Sequence, residues 1–104
     1  MKALRFVGSS LDDLRSFPTA VRRQAGFEID TLQRGFEPGD WKPVSNAGTG
    51  VCEIRIHAAG EWRVIYLANR ADAIYILHAF QKKTQKIHNQ EIKLIRQRLQ
   101  QIED

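Results

Sequence analysis

Arg55 and Arg63 are the residues from which a chemistry can first be read. They lie in two stretches with strand-like alternation, Val51 to His57 and Glu61 to Ala68, joined by Ala58-Ala59-Gly60. That linker fits a three-residue hairpin loop with glycine in the left-handed position. The hairpin sets a register, with His57 opposite Glu61 and Arg55 opposite Arg63. Two opposed guanidinium groups repel, and cross-strand charge pairs are worth roughly 0.2 to 1 kcal/mol each. Stability alone does not select such a pair. An anion between them is expected, and a phosphate matches the guanidinium fork best; the plain alternative is two side chains splayed into water.

A third apolar stretch, Ala73 to Phe80, runs into Gln81-Lys82-Lys83-Thr84-Gln85-Lys86-Ile87-His88. If the three strands are sequential neighbours, Arg55, Arg63, Lys82, Lys83, Lys86 and His88 converge on one rim. Such a rim can hold the nonbridging oxygens of a phosphodiester and stabilise a pentacoordinate transition state without metal. RNA brings its own nucleophile, the 2′-hydroxyl. Proton transfer then falls to His88, His78 or a lysine of lowered pKa. The residues by themselves point to an RNA-cleaving or RNA-binding basic sheet and do not choose between the two.

Other chemistries find little support. His57, His78 and His88 are scattered and no carboxylate cluster accompanies them, so no metal or other cofactor is expected. His78, inside an apolar strand, reads first as a hydrogen-bonded core histidine. No serine elbow, catalytic triad or pair of glycosidase carboxylates is present. Cys52 is the only cysteine; it excludes an internal disulfide and reads as a buried filler. The glycines of residues 35–50 have neither GKS nor GxGxxG spacing. With 42% hydrophobic and 27% charged residues, the composition is that of a soluble protein. No apolar run is long enough to span a bilayer and no signal peptide is visible, so a cytoplasmic protein without membrane contact is expected.

The net charge of +4 is unevenly spread: between His78 and Arg98 stand six bases, Lys82, Lys83, Lys86, Lys93, Arg96 and Arg98, against Glu91 alone. This patch suits a nucleic acid or an acidic protein.

Lys2 to Val7 reads as a strand. Ser9 and Ser10 offer an N-cap, with Asp12 and Asp13 in the first turn of a short helix to about Ser16. Pro18 opens a second helix, along which Val21, Ala25, Ile29 and Leu32 recur until Gly35 closes it. Residues 35–50 read as a long loop pinned by Trp41 and Val44, with Asn46 to Gly50 expected to move near whatever binds. After the three strands, of which the third is expected to be central, Asn89 caps a last helix with Ile92, Ile95, Leu99 and Ile102 on one stripe. Lys93, Arg96 and Arg98 lie off that stripe. The expected fold is α+β, one domain of 104 residues, an antiparallel sheet with the helices segregated to one side and Arg55 and Arg63 on the free face.

The runs CEIRI, WRVIY and ILHAFQKKTQK, followed by a short amphipathic helix, make nearly the whole chain resemble the RelE/ParE superfamily of toxins, most closely its HigB-like, phage-associated branch. The resemblance implies a β-α-α-β-β-β-α fold and the toxin of a type II toxin-antitoxin pair. Members of that branch are ribosome-dependent mRNA interferases that cut by 2′-hydroxyl attack. By matching positions, Arg55 and Arg63 grip the phosphate, Lys82 and Lys83 form the basic end of the last strand, and Lys86 contacts RNA phosphates; Lys93 and Arg96 on the following helix extend that RNA or ribosome surface. Glu53 orients the arginine that follows it. Where the family commonly continues Thr-Pro, this chain has Ile87-His88, so His88 has no inherited role and stands as catalytic on its chemistry alone. The implied partners are mRNA, the ribosome and a cognate antitoxin, encoded nearby and usually bearing a helix-turn-helix, through which alone operator DNA is reached. Two other readings stay open: a ParE-like inhibitor of DNA gyrase, and a degenerate toxin acting as a binding module or corepressor.

Overall fold

The computed structural model describes residues 1–103. The elements are β1 (Ala3–Phe6), α1 (Ser10–Arg15), α2 (Thr19–Gln33), β2 (Trp41–Pro43), β3 (Val51–His57), β4 (Glu61–Leu67), β5 (Ala73–Gln81) and α3 (Asn89–Glu103). The strands form one five-stranded sheet in the order β1-β5-β4-β3-β2. The fold is α+β with a mostly antiparallel sheet, as the RelE-like resemblance implies. β4 takes the middle, where β5 was expected, because β2 adds beyond β3 at one edge and the first strand joins the far edge of β5 at the other. That junction is parallel, Ala3 opposite Ala73 through Phe6 opposite Ile76, a pairing permitted by the long excursion of chain between the two strands. The segment after α2 supplies β2, a strand the sequence did not suggest.

Helix α2 forms because Pro18 sets φ at −53° just ahead of it and the apolar residues recur on one side. It ends in a Schellman motif: Gly35, with φ +92°, donates to Leu32 O, and Phe36 donates to Thr31 O. Leu14, Phe17, Val21, Ala25, Ile29 and Leu32 are buried against Ile54, Ile56, Val64, Tyr66, Ile74, Ile76 and Ala79 of the sheet. Cys52 packs at the margin of this layer.

The other face of the sheet is not free. Ile92, Ile95 and Leu99 of α3 are buried with Val44, Ala47, Val51, Ile65, Leu67 and Leu77. The helices are therefore divided between the two faces, α1 and α2 on one and α3 on the other. The cause is the content of the strands: Ile65, Leu67 and Leu77 supply a second apolar surface that must also leave water. Residues 46–50 belong to this second layer, since Ala47 is buried and Arg96 donates to the Asn46 carbonyl at 2.8 Å.

One irregularity aims the side chains. Opposite Ile65 and Tyr66 of β4, β5 skips from His78 to Ile76, so Leu77 is the extra residue of a bulge. Ile76 and Ala79 point toward α2. Leu77 packs with α3, and His78, the next residue, meets Glu91 of that same helix.

Replacing Ile95, fully buried under α3, with alanine should cost about 2 to 5 kcal/mol. Denaturant unfolding checks this, and an Ile95→Ala protein as stable as the parent would show that α3 does not pack as described.

Candidate functional site

The hairpin register is as the sequence implied: Arg55 faces Arg63 and His57 faces Glu61. Gly60 has φ +116° and Ala59 φ +52°, so the turn holds two residues in the left-handed region. What lies around the two arginines is a set of the chain's own carboxylates. Arg55 Nε donates to Asp40 Oδ1 at 3.1 Å. Arg63 Nη1 donates to Glu61 Oε1 at 3.2 Å and to the Trp62 carbonyl at 2.9 Å. Glu53 Oε1 lies 3.7 Å from Arg63 Nε. Glu53 thus accompanies the arginine of the next strand, because it shares a face with Arg55 two residues on, and Arg63, directly opposite Arg55, is its diagonal neighbour.

Asp40 comes from the segment leading into β2, and α2 holds that segment in place. Glu28, buried at 9% exposure, accepts a hydrogen bond from the Gly39 N–H at 2.6 Å. With Asp40 so placed, His57 bridges two acids: Nε2 to Asp40 Oδ2 at 2.6 Å and Nδ1 to Glu61 at 2.8 Å. Both ring nitrogens face acceptors, which only the doubly protonated ring satisfies. The hydrogen bond to Asp40, then that to Glu61, raises the His57 pKa above its ordinary 6.5. The hydrogen bond from His57 lowers Asp40 and Glu61 below their ordinary 3.8 and 4.5.

Exposure separates the arginines. The Arg63 side chain is 4% exposed and the Glu53 side chain 9%, whereas that of Arg55 is 26% exposed. Arg63 Nε and Glu53 Oε2 are buried without a hydrogen-bond partner, so this pair meets by charge alone. Arg63 therefore lies within the sheet surface, not on it as a free-face arginine would.

The lysines lie at the end of β5. The Lys82 N–H donates to the Glu61 carbonyl at 2.7 Å, continuing the ladder by one rung. Lys82, Lys83, Lys86 and His88 line one cleft of about 120 Å³ together with Phe80 and Glu91. Phe80 is also the strand partner of Arg63, so the cleft begins on the rung of the arginine pair, one strand over. Thr84 Oγ1 donates to the Lys86 carbonyl at 2.6 Å, tightening the turn that carries the lysines. The His88 carbonyl accepts from Glu91 and Ile92, which makes His88, not Asn89, the N-cap of α3.

Lys93 and Arg96 line a different groove, beside Ala47 and Gln97 on the outer side of α3. Arg98, counted from sequence among the surface bases, is buried at 7% exposure; its guanidinium donates to the Leu77 carbonyl at 2.8 Å and to Ser9 Oγ at 2.9 Å. Of the other polar residues of this region, Asp40 was not singled out from sequence; His78 was read as a core histidine and a proton-transfer candidate, but its pairing with Glu91 was not foreseen. Glu61 had a signal in its place opposite His57.

Two outcomes follow. His57 should titrate by NMR with a midpoint above 6.5 that falls toward 6.5 in Asp40→Asn. Because its folded pKa is raised, the stability it contributes is complete below pH 6.5 and lost as pH rises through the higher folded value; a midpoint at or below 6.5 would remove the bridge. Arg63→Ala should destabilise by roughly 3 to 5 kcal/mol, since it leaves Glu53 buried without its cation, as read by chemical denaturation.

No curated protein matches the chain. Residues 12–100, from α1 into α3, match the family described as "Phage derived protein Gp49-like", and the chain is a member of that family.

Proposed function

We propose that this protein is the toxin of a type II toxin-antitoxin pair and acts as a ribosome-dependent mRNA interferase, cleaving RNA by attack of the 2′-hydroxyl on the adjacent phosphorus. The observation that carries the reading is the cleft itself: three lysines and a histidine around one small space, one strand over from the Arg55–Arg63 pair. Membership of a phage-derived family and the RelE-like order of elements support it.

In this reading Lys82, Lys83 and Lys86 surround the scissile phosphate and stabilise the charge that grows on its nonbridging oxygens. Arg55, half-buried and paired with Asp40, reaches a phosphate by exchanging one anion for another. Arg63 is a positioning residue, fixing the floor between Glu53 and Glu61. His88, exposed at the cleft, serves in proton transfer. Lys93 and Arg96 add phosphate contacts on a second surface, suited to ribosomal RNA. The partners are mRNA, the ribosome and a cognate antitoxin that neutralises the toxin and reaches operator DNA on its behalf.

Induction without the neighbouring reading frame should arrest growth, and co-expression with it should restore growth. Primer extension should then show discrete cuts in mRNA at the ribosomal A site. The double variant Lys82→Ala/Lys83→Ala should lose about 10²- to 10³-fold or more in cleavage rate while keeping its circular dichroism spectrum. Intact mRNA with DNA-damage signalling would move the assignment to gyrase inhibition; intact mRNA without it would leave a binding module.

A further inference from the structure

Glu91 is the one acid among the six bases of residues 78–98, and its place is unusual for a solvated carboxylate. It stands in the first turn of α3 and lines the same cleft as Lys82, Lys83, Lys86 and His88. One of its oxygens, Oε2, is bonded to Nε2 of His78. His78 is 6% exposed and stacked on Phe80 with ring centroids 4.9 Å apart. The bulge at Leu77 is what turns this imidazole toward α3.

The surroundings of His78 settle which nitrogen carries its proton. Nδ1 lies 3.5 Å from Arg98 Nη1, and a guanidinium can only donate. Nδ1 therefore accepts, and Nε2–H donates to Glu91. Asp13 Oδ2, 3.9 Å from Nδ1, receives its own hydrogen bond from Ser9 Oγ at 2.9 Å. The result is a buried donor fixed from behind by Arg98, holding one oxygen of a carboxylate whose side chain is 30% exposed. The second oxygen, Oε1, has no hydrogen-bond partner among the described residues, and the side chain lines the cleft.

We propose that Glu91 is the catalytic base of the cleft and His78 the positioning residue that aims it. The assignment rests on the ribonuclease reading above. In the step it implies, Oε1 takes the proton of the 2′-hydroxyl as the O2′–P bond forms. The P–O5′ bond breaks, its electron pair stays on O5′, and that oxygen takes a proton from the His88 imidazolium. The products are a 2′,3′-cyclic phosphate end and a 5′-hydroxyl end, with no other reactant needed. A clamp tying α3 to β5 would use the same hydrogen bond, but it would not require the carboxylate to line a cleft walled by lysines.

The test is single-turnover cleavage by the full chain of a defined mRNA on programmed bacterial ribosomes, across pH. Glu91→Gln keeps an oxygen that accepts from His78 and removes the base. It should lower the cleavage rate by about 10²-fold or more, flatten the acidic limb of the pH–rate profile and leave ribosome affinity unchanged. Glu91→Asp, which keeps the charge but withdraws it by one methylene, should cleave at an intermediate rate with the acidic limb present; it also serves if the glutamine variant does not fold. His78→Gln should slow cleavage while retaining that limb. A folded Glu91→Gln that cleaves at the parental rate with the limb intact would make Glu91 a helix clamp and overturn the proposal. A parent protein that never cuts programmed mRNA would instead overturn the ribonuclease reading, and the assignment with it.

Discussion

Two guanidinium groups facing each other on neighbouring strands repel, and the anions set beside them organise this end of the sheet. The chain meets that repulsion with Asp40, Glu53 and Glu61, and with His57 as a third cation that ties two of those acids together. The local charges balance, three against three. Each acid comes from a different place: Glu53 and Glu61 from the same two strands, Asp40 from the segment beneath β2. Hence the arginine pair also fixes a loop, and that loop in turn depends on Glu28 of α2. The arginine pair is thereby linked through Asp40 and Gly39 to α2, which the apolar core already holds against the sheet.

The second device is the bulge in β5. In a regular strand, Leu77 and His78 would point to opposite faces. With one residue inserted, both serve the α3 side, Leu77 by packing and His78 by bonding Glu91. Arg98 completes that arrangement from within, a charged residue kept in the interior by a carbonyl, a hydroxyl and an imidazole. Buried charge of this kind contributes little net stability. Its value is directional, since it admits one orientation of the imidazole.

Much of this was legible in the sequence. The period-two stretches and the Ala58-Ala59-Gly60 turn specify the Arg55–Arg63 rung, because hairpin register follows from turn length. The stripe of Val21, Ala25, Ile29 and Leu32 placed α2, and Gly35 marked its end. The face taken by α3 was not legible, because an apolar stripe says that a helix is buried and not against which side of a sheet. Nor was the bulge: Ile76-Leu77-His78-Ala79 carries no glycine or other mark of an inserted residue. Arg98 was misread for a similar reason, since a cation off the stripe looks solvated until the groups behind it are known. Asp40 lies in a stretch whose path depends on Glu28, so its meeting with Arg55 and His57 belongs to tertiary structure alone.

The parallel seam between β1 and β5 has a temporal side. Ala3 can only be matched once Ala73 exists, and strand pairings between residues so remote in sequence form late. A nascent chain leaving the ribosome therefore holds its opening strand unpaired until most of the polypeptide has been made, and the lysines beyond β5 follow later still. Any truncated product that stops before that seam closes lacks both the parallel sheet edge and the cations that follow β5.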